Sequence, residues 1–250
     1  MDGNNIQTPE QAIQFLQSLE NARFLLEGGK WYSTGQLKNT HLESIIGLNV
    51  SGNKLGGLSF LQFMPKLNNL NLKNTDLVNI NELSIISQLQ NLDLTNNSIL
   101  DFSCLKQFNK IESLSVSGNK GADFSSISHL VSMNSFYAGS AEILDISFLP
   151  VNGKIAQLDL KNNKIKDLTK LSELQLLTQL DLSNNPLNDI SALKTCRKLK
   201  ILSISRTKAT DINMIAELSN LTYLFAEGLD ISKKQTAHLE DALPNTFMYF

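Results

Sequence analysis

The feature that most constrains this chain is a spacing of 22 residues that holds without insertion or loss from Ile45 through Leu67, Leu89, Ile111, Met133, Ile155, Leu177, Leu199 and Leu221. Leu243 then opens a last strand in the same frame. The stretch IAQLDLKNNKIKDLTKLSELQL, Ile155 to Leu176, shows the unit best: Ile155, Leu158, Leu160 and Ile165 are apolar, Asn163 sits two positions before the last of them, and Leu168, Leu171 and Leu174 follow. Each unit reads as a strand followed by a second apolar segment. Such a unit cannot bury its apolar side alone, so stacking on its neighbours is what supplies a core.

The pattern L-x-x-L-x-L-x-x-N-x-L resembles the leucine-rich repeat superfamily, over about residues 45–250. Within it, the 22-residue form is similar to bacterial internalin-like domains and to the phosphatase-regulator type of the eukaryotic cytosol. The resemblance implies an α/β solenoid, a horseshoe whose parallel concave sheet lines the inner face and whose convex side carries short 3-10 or irregular segments. It also implies binding of a partner on that inner face, and no catalysis. Because a solenoid is quasi-one-dimensional, one elongated domain is expected. Its parts are an N-terminal cap over 1–44, nine repeats over 45–242 and a final strand over 243–250.

The columns formed by equivalent positions separate structure from function. Fourth and sixth positions, such as Leu92/Leu94 and Leu180/Leu182, are apolar and flank one outward residue, as strand alternation requires. Leu58, Ile80, Phe102, Phe124, Ile146, Leu168, Ile190 and Ile212, with a second set three residues on, pack the back. Cys196 occupies an apolar column shared with Leu174 and Leu218 and reads as a buried small hydrophobe. Asn53, Asn97, Asn119, Asn163 and Asn185, with Thr75 and Thr207 substituting and Ala141 and Leu229 interrupting, form a column of inward amides that would satisfy backbone groups freed where each strand turns. Asp101, Asp123, Asp145, Asp167, Asp189 and Asp211 precede the back segments and read as caps rather than as a metal array.

At the N-terminus, Thr8-Pro9-Glu10-Gln11 is a capping box with proline at the first helical position, so a helix over 8–21 is expected, with Ala12, Ile13, Phe15, Leu16 and Leu19 on its apolar face. Residues 23–34 then read either as a hairpin turning on Gly28-Gly29 or as a continuation of the helix to Glu27. Ser232-Lys-Lys-Gln235 starts a second helix, which replaces the back segment of the ninth repeat.

Function is sought in the outward strand positions. These are small and polar at first, acidic at Asp159 and Asp181, and then apolar or aromatic at Ile201, Tyr223, Phe225, Phe247 and Tyr249. The last four stand where solvent is expected, which marks either a contact surface or a surface covered by the C-terminal cap. Tyr137 projects from the least regular repeat, in which Ala141 replaces Asn and Asn152 enters an apolar column. The residues expected to bind a partner are Asp93, Tyr137, Asp159, Lys161, Asp181, Tyr223, Phe225, Phe247 and Tyr249. Aromatics would supply burial, and carboxylates would orient a basic partner surface.

A net charge of −2 argues against a nucleic-acid or anionic-membrane partner. No 18-residue apolar run exists, and the start MDGNNIQTPEQ lacks the basic and apolar regions of a Sec signal. Cys104 and Cys196 lie about four repeats apart, about 19 Å at the strand spacing, too far for a disulfide. Reduced thiols fit a cytoplasmic site of action, or delivery to a host cytosol by a non-Sec route. His41, His129 and His238 fall in different repeats or caps and form no catalytic constellation. The expectation is a non-catalytic scaffold without cofactor that binds another protein, such as an enzyme that it masks, in the manner of a bacterial effector. A regulatory subunit of a phosphatase-like enzyme and a cell-surface or glycan-binding module are the alternatives.

Overall fold

The computed structural model describes residues 3–151 and 153–250; Asn152, the polar intruder in the fifth repeat, lies outside them. The chain divides into two compact units, Met1–Ser132 and Met133–Phe250. A repeat stack is held by neighbour contacts, so compactness is a local property of successive repeats.

In the first unit a 3-10 turn at Gly3–Asn5 precedes helix α1, Pro9–Gln17. The capping box forms: Gln11 N–H donates to Thr8 Oγ1 at 3.2 Å, and Gln11 Oε1 accepts from the Thr8 and Gln7 N–H groups. The helix stops at Gln17, four residues short of expectation, because Ser18 closes it with its N–H on the Gln14 and Phe15 carbonyls and its hydroxyl on Phe15 O. Its buried face, Ala12, Ile13, Phe15 and Leu16, packs toward the first repeat, with the Phe15 and Phe60 rings 5.2 Å apart. Residues after it form the hairpin rather than a longer helix. Strands β1 (Arg23–Leu26) and β2 (Trp31–Ser33) pair antiparallel around Gly28 and Gly29, both at positive φ.

Strand β1 also pairs antiparallel with the first repeat strand, β3 (Ile45–Asn49), so the hairpin caps that sheet edge. Parallel strands β4 (Asn69–Asn71), β5 (Asn91–Asp93) and β6 (Ser113–Ser115) follow in register, each residue opposite the one 22 further on. In the second unit the same parallel order runs through β7 (Ser135–Tyr137), β8 (Gln157–Asp159), β9 (Gln179–Asp181), β10 (Ile201–Ser203), β11 (Tyr223–Phe225) and β12 (Phe247–Tyr249). The back of most repeats is a short 3-10 segment, for example Ser103–Gln107 in the first unit and Thr169–Glu173 in the second. Helix α2, Lys233–Ala242, takes this place in the ninth repeat behind its own capping box on Ser232 and Gln235.

That helix changes the register of the last strand. Ten helical residues consume more chain than a 3-10 segment, and Leu243, expected to open the strand, instead closes α2 with its N–H on Leu239 O. Pairing is Tyr223 with Phe247 and Phe225 with Tyr249, an offset of 24 instead of 22. A slip of two preserves strand parity, so both aromatics keep the outward side. The final strand is therefore 247–249, not 243–250.

The apolar columns are the core: Leu48, Leu70, Leu92 and Leu114 in the first unit, and Phe136, Leu158, Leu180, Leu202 and Leu224 in the second, are all buried. Burial of one such side chain is worth about 1.5–3 kcal/mol. Cys196 is buried among them; both cysteines are unpaired, and burial pushes the Cys104 thiol up to about 11. Asn97 shows what the polar column does. Its Nδ2 donates to Leu72 O and Leu94 O at 2.8 and 2.9 Å, and its Oδ1 accepts from the N–H groups of Thr75 and Leu77. Asn163 repeats the pattern, donating to Ala138 O and Leu160 O while its Oδ1 accepts from the N–H groups of Ala141 and Ile143. Asn53 turns the same amide on the cap, accepting from Glu20 N–H at 2.8 Å and donating to Glu20 O at 2.9 Å.

The residue before each rung is left-handed. Gly52, Asn74, Asn96, Gly118, Ser140, Asn162, Asn184, Arg206 and Gly228 all have φ between 55° and 81°. This conformation bends the chain off the strand so that the next side chain points inward, and Gly and Asn are least strained by it. The polar column beside the apolar rows thus serves the backbone, as expected. In the Asp column each carboxylate caps the residue two ahead, as in Asp101 Oδ1 to Ser103 N–H at 2.7 Å and Asp167 Oδ1 to Thr169 N–H at 2.7 Å. Among the described residues no group of three or more His, Cys, Asp or Glu side chains is placed to hold a metal, and no helix is long and apolar enough to cross a membrane.

Candidate protein-interaction face

Because each strand of the second unit is only three residues long, with its middle residue buried in all but the last, its first and third residues stand together on the other side of the sheet. The second unit thereby presents two rows across adjacent strands. One row is Ser135, Gln157, Gln179, Ile201, Tyr223 and Phe247; the other is Tyr137, Asp159, Asp181, Ser203, Phe225 and Tyr249.

Four of the residues singled out from sequence converge here. Tyr137, Asp159, Asp181 and Phe225, with Gln157, Gln179, Ile201 and Ser203, line an open hollow of about 300 Å3. The strand order explains it: Ser203 is the small residue in a row whose neighbours on either side are Asp181 and Phe225. Tyr137 closes one end, its hydroxyl donating to Gln157 Oε1 at 2.5 Å.

At the other end lies a block of four rings. Tyr223 stacks on Phe247 at 5.4 Å between centroids and Phe225 on Tyr249 at 5.0 Å, with interplanar angles of 21° and 7°. Tyr223 and Phe225 are themselves nearly parallel, 6.4 Å apart. The C-terminal helix does not cover them: it packs against the 3-10 segment Asn213–Glu217 at the back. Tyr223, Phe247 and Tyr249 remain 37%, 59% and 45% exposed, so the rings shield one another and leave an apolar surface to solvent.

The acidic residues carry a second duty that their place in the sequence had not suggested. Asp159 Oδ1 accepts from the Lys161 N–H at 3.1 Å and Asp181 Oδ1 from the Ser183 N–H at 2.9 Å, so each carboxylate also caps the end of its own strand. Asp93 does the same for Thr95 at 2.9 Å. The signal was present in the chain, since an Asx residue stands at this position in Asn49, Asn71, Asp93, Asp159 and Asp181, each two residues before the N–H it caps.

Lys161 is likewise held inside the unit. Its Nζ lies 3.1 Å from Asp159 Oδ2, and its stem passes within 3.2 Å of where a Cβ on Gly139 would stand. The hydrogen bond to Asp159, that residue's charge and then the charge of Asp181 raise its pKa. Asp159 is therefore internally neutralised, and Asp181 is the carboxylate with an oxygen, Oδ2, left for something else. Asp93 lies on β5 of the first unit and lines no part of the hollow.

The first unit's face differs. Gly47, Asn69, Asn91 and Ser113 alternate with Asn49, Asn71, Asp93 and Ser115, and the hairpin folds over its edge. A Cβ on Gly47 would come within 2.9 Å of Leu25 Cβ and 3.1 Å of the Trp31 ring, so glycine there is what lets the hairpin close. His41 is used locally, its Nδ1 accepting from Lys38 N–H, and His129 Nε2 lies 2.9 Å from Phe108 O.

Neither a family model nor a curated relative matches the chain. Solved structures do. Internalin C2 from Listeria monocytogenes is similar over 88% of this chain and 91% of that one, at 22% identity and a TM-score of 0.72. The functional domain of InlJ from the same organism, which includes a cysteine ladder, is similar over 86% of this chain and 55% of its own, at 19% identity and a TM-score of 0.60. The plant peptide hormone receptor RGFR1 in complex with RGF2 is similar over 81% of this chain and 43% of its own, at 18% identity and a TM-score of 0.59. At these identities the likeness is one of fold, and it agrees with the repeat geometry: the chain has the leucine-rich repeat fold in an internalin-like, 22-residue form.

Proposed function

We propose that the chain is a non-catalytic binding scaffold that holds another protein on the sheet face of its second unit. The observation that carries this reading is the block of Tyr223, Phe225, Phe247 and Tyr249, four stacked rings on a face that the unit's own helix leaves uncovered. Aromatic side chains of this kind supply most of the burial energy at protein interfaces. The adjoining hollow, with Asp181 at its wall, favours a partner that is basic at its contact surface. A fold neighbour that is a plant peptide hormone receptor in complex with RGF2 supports a peptide or protein ligand for a chain of this fold. In this reading the protein acts as an effector that masks a partner, such as an enzyme whose active site it occludes. Its two unpaired cysteines favour a reducing compartment, either the cytoplasm of its source or a host cytosol.

The test is affinity capture from host and source lysates with three baits: the wild type, Tyr223→Ala/Phe225→Ala, and a back-surface control, Asp189→Lys. A protein retained by wild type and control but lost from the double variant is the expected result. Equal capture by all three baits, or loss only with the control, would reject this face as the contact surface.

A further inference from the structure

We propose that the hollow beside the aromatic block is a subsite for a single arginine side chain of the partner, the guanidinium lying over Ser203 between Asp181 and the open face of Phe225. This deepens the binding reading above and rests on it.

Three observations define the occupant. The first is charge. Asp159 and Asp181 carry two negative charges against the one positive charge of Lys161, so the hollow is left with one unit of negative charge. Asp159 is occupied on both oxygens, by Lys161 N–H and Lys161 Nζ, whereas Asp181 uses only Oδ1, for Ser183. The unmatched acceptor is thus Asp181 Oδ2.

The second is the ring. Parallel strands stack the Phe225 ring on Tyr249 with an interplanar angle of 7°, which covers one face. On the other side the neighbouring strand offers Ser203, too small to cover it, and Phe225 lines the hollow there. An aromatic face at one wall and a carboxylate at the other, two strands apart, leave a gap of roughly 10 Å between backbones. A flat cation fits that space.

The third is the rest of the lining. Ile201 offers apolar contact for an alkyl stem, and Gln179, exposed on the parallel row, offers an amide oxygen. Arginine satisfies all of these together, because its planar group stacks on a ring while its fork donates to a carboxylate. An ammonium satisfies only the charge.

The probes are blocked amino acids, N-acetyl-arginine methylamide and its lysine and citrulline counterparts, titrated into the full chain and followed by amide chemical shifts. Saturable shifts centred on Asp181, Ser203 and Phe225 are expected with arginine, about threefold or more weaker with lysine and absent with citrulline. Asp181→Asn keeps an oxygen for the Ser183 N–H and so preserves the strand cap, and it should abolish the shifts. Ser203→Leu fills the gap without changing any charge and should also abolish them. No shifts with arginine up to about 50 mM, equal binding of lysine, or shifts that survive in Asp181→Asn would each overturn the proposal. Should arginine fail to bind while Tyr223→Ala/Phe225→Ala still loses the captured partner, the subsite falls and the binding face stands.

Discussion

The sheet faces of the two units are built on the same backbone and differ in almost every exposed side chain. In the first, Gly47, Asn69 and Asn91 and the row beside them are small or amide-bearing, and the capping hairpin lays Leu25 and Trp31 across Gly47. In the second, the rows run from Tyr137 through two carboxylates to four stacked rings, and the helix that completes the unit packs at the back. Hydrogen bonding inside the units is nearly the same: Asn97 and Asn163 make equivalent contacts, and each left-handed residue before a rung performs the same bend. Stability thus resides in the inward columns of both units, and the outward rows are free to differ. Where the first unit uses its outward residues to close its own edge, the second leaves them to solvent.

The comparison can be broken most forcefully at the inward columns. Asn97→Ala and Asn163→Ala each strand several buried backbone groups, so each should cost about 2–4 kcal/mol in urea unfolding, with similar losses in the two units. A loss confined to one of them would show that the columns are not equivalent. Next come two substitutions on the outer faces that ought to diverge. Gly47→Leu drives a side chain into Leu25 and Trp31 and should cost about 1–3 kcal/mol. Ser203→Leu enters an open hollow and gives up one hydroxyl–hydroxyl bond, to Ser183, so it should cost no more than about 1 kcal/mol. Similar losses from both would mean that the second face contributes to folding as much as the first does.

Smaller still is Tyr223→Ala, for which thermal unfolding should register under about 1.5 kcal/mol, since the ring is partly exposed and only its stacking is lost. A loss of several kcal/mol would make the aromatic block structural. The least effect belongs to the caps at the back. The backbone N–H and then the hydroxyl of Ser103, Ser125 and Ser191 hold Asp101, Asp123 and Asp189 below the usual carboxylate range. For Asp145 and Asp167 the hydroxyls of Ser147 and Thr169 come first and the N–H groups second. A lowered folded pKa means that the contribution is complete above the unfolded carboxylate pKa and is lost as pH falls through the folded value. Acid titration of Asp123→Asn and Asp167→Asn should therefore show a slightly shallower loss of stability below about pH 4 than the wild type, by a similar amount in either unit. A steeper loss would contradict the assigned sign.

Much of this was legible in the chain because a 22-residue period turns single residues into columns, and each column has one environment. The buried rows, the Asn rungs and the Asp caps are of that kind. The left-handed column was equally open to reading, since Gly52, Asn74, Asn96, Gly118, Asn162, Asn184 and Gly228 share one position, yet Arg206 and Ser140 disguise it. The end of α1 was not, because Leu19 continues the apolar pattern past Ser18, whose own backbone and hydroxyl bonds stop the helix. Nor was the two-residue slip of β12, which depends on how much chain a helix takes up in place of a 3-10 segment. At the candidate site the residue types could be named, but the pairing of Lys161 with Asp159, which leaves Asp181 as the open carboxylate, depends on where the lysine stem finds room over Gly139.

The measurement that tests the central claim most directly is the affinity of the captured partner for Tyr223→Ala/Phe225→Ala, compared with wild type at a temperature where both are folded. The account predicts a loss of at least about 30-fold, corresponding to two interface anchors of about 1 kcal/mol or more each. An unchanged affinity would contradict it and return the exposed rings of the second unit to the status of an uncovered surface.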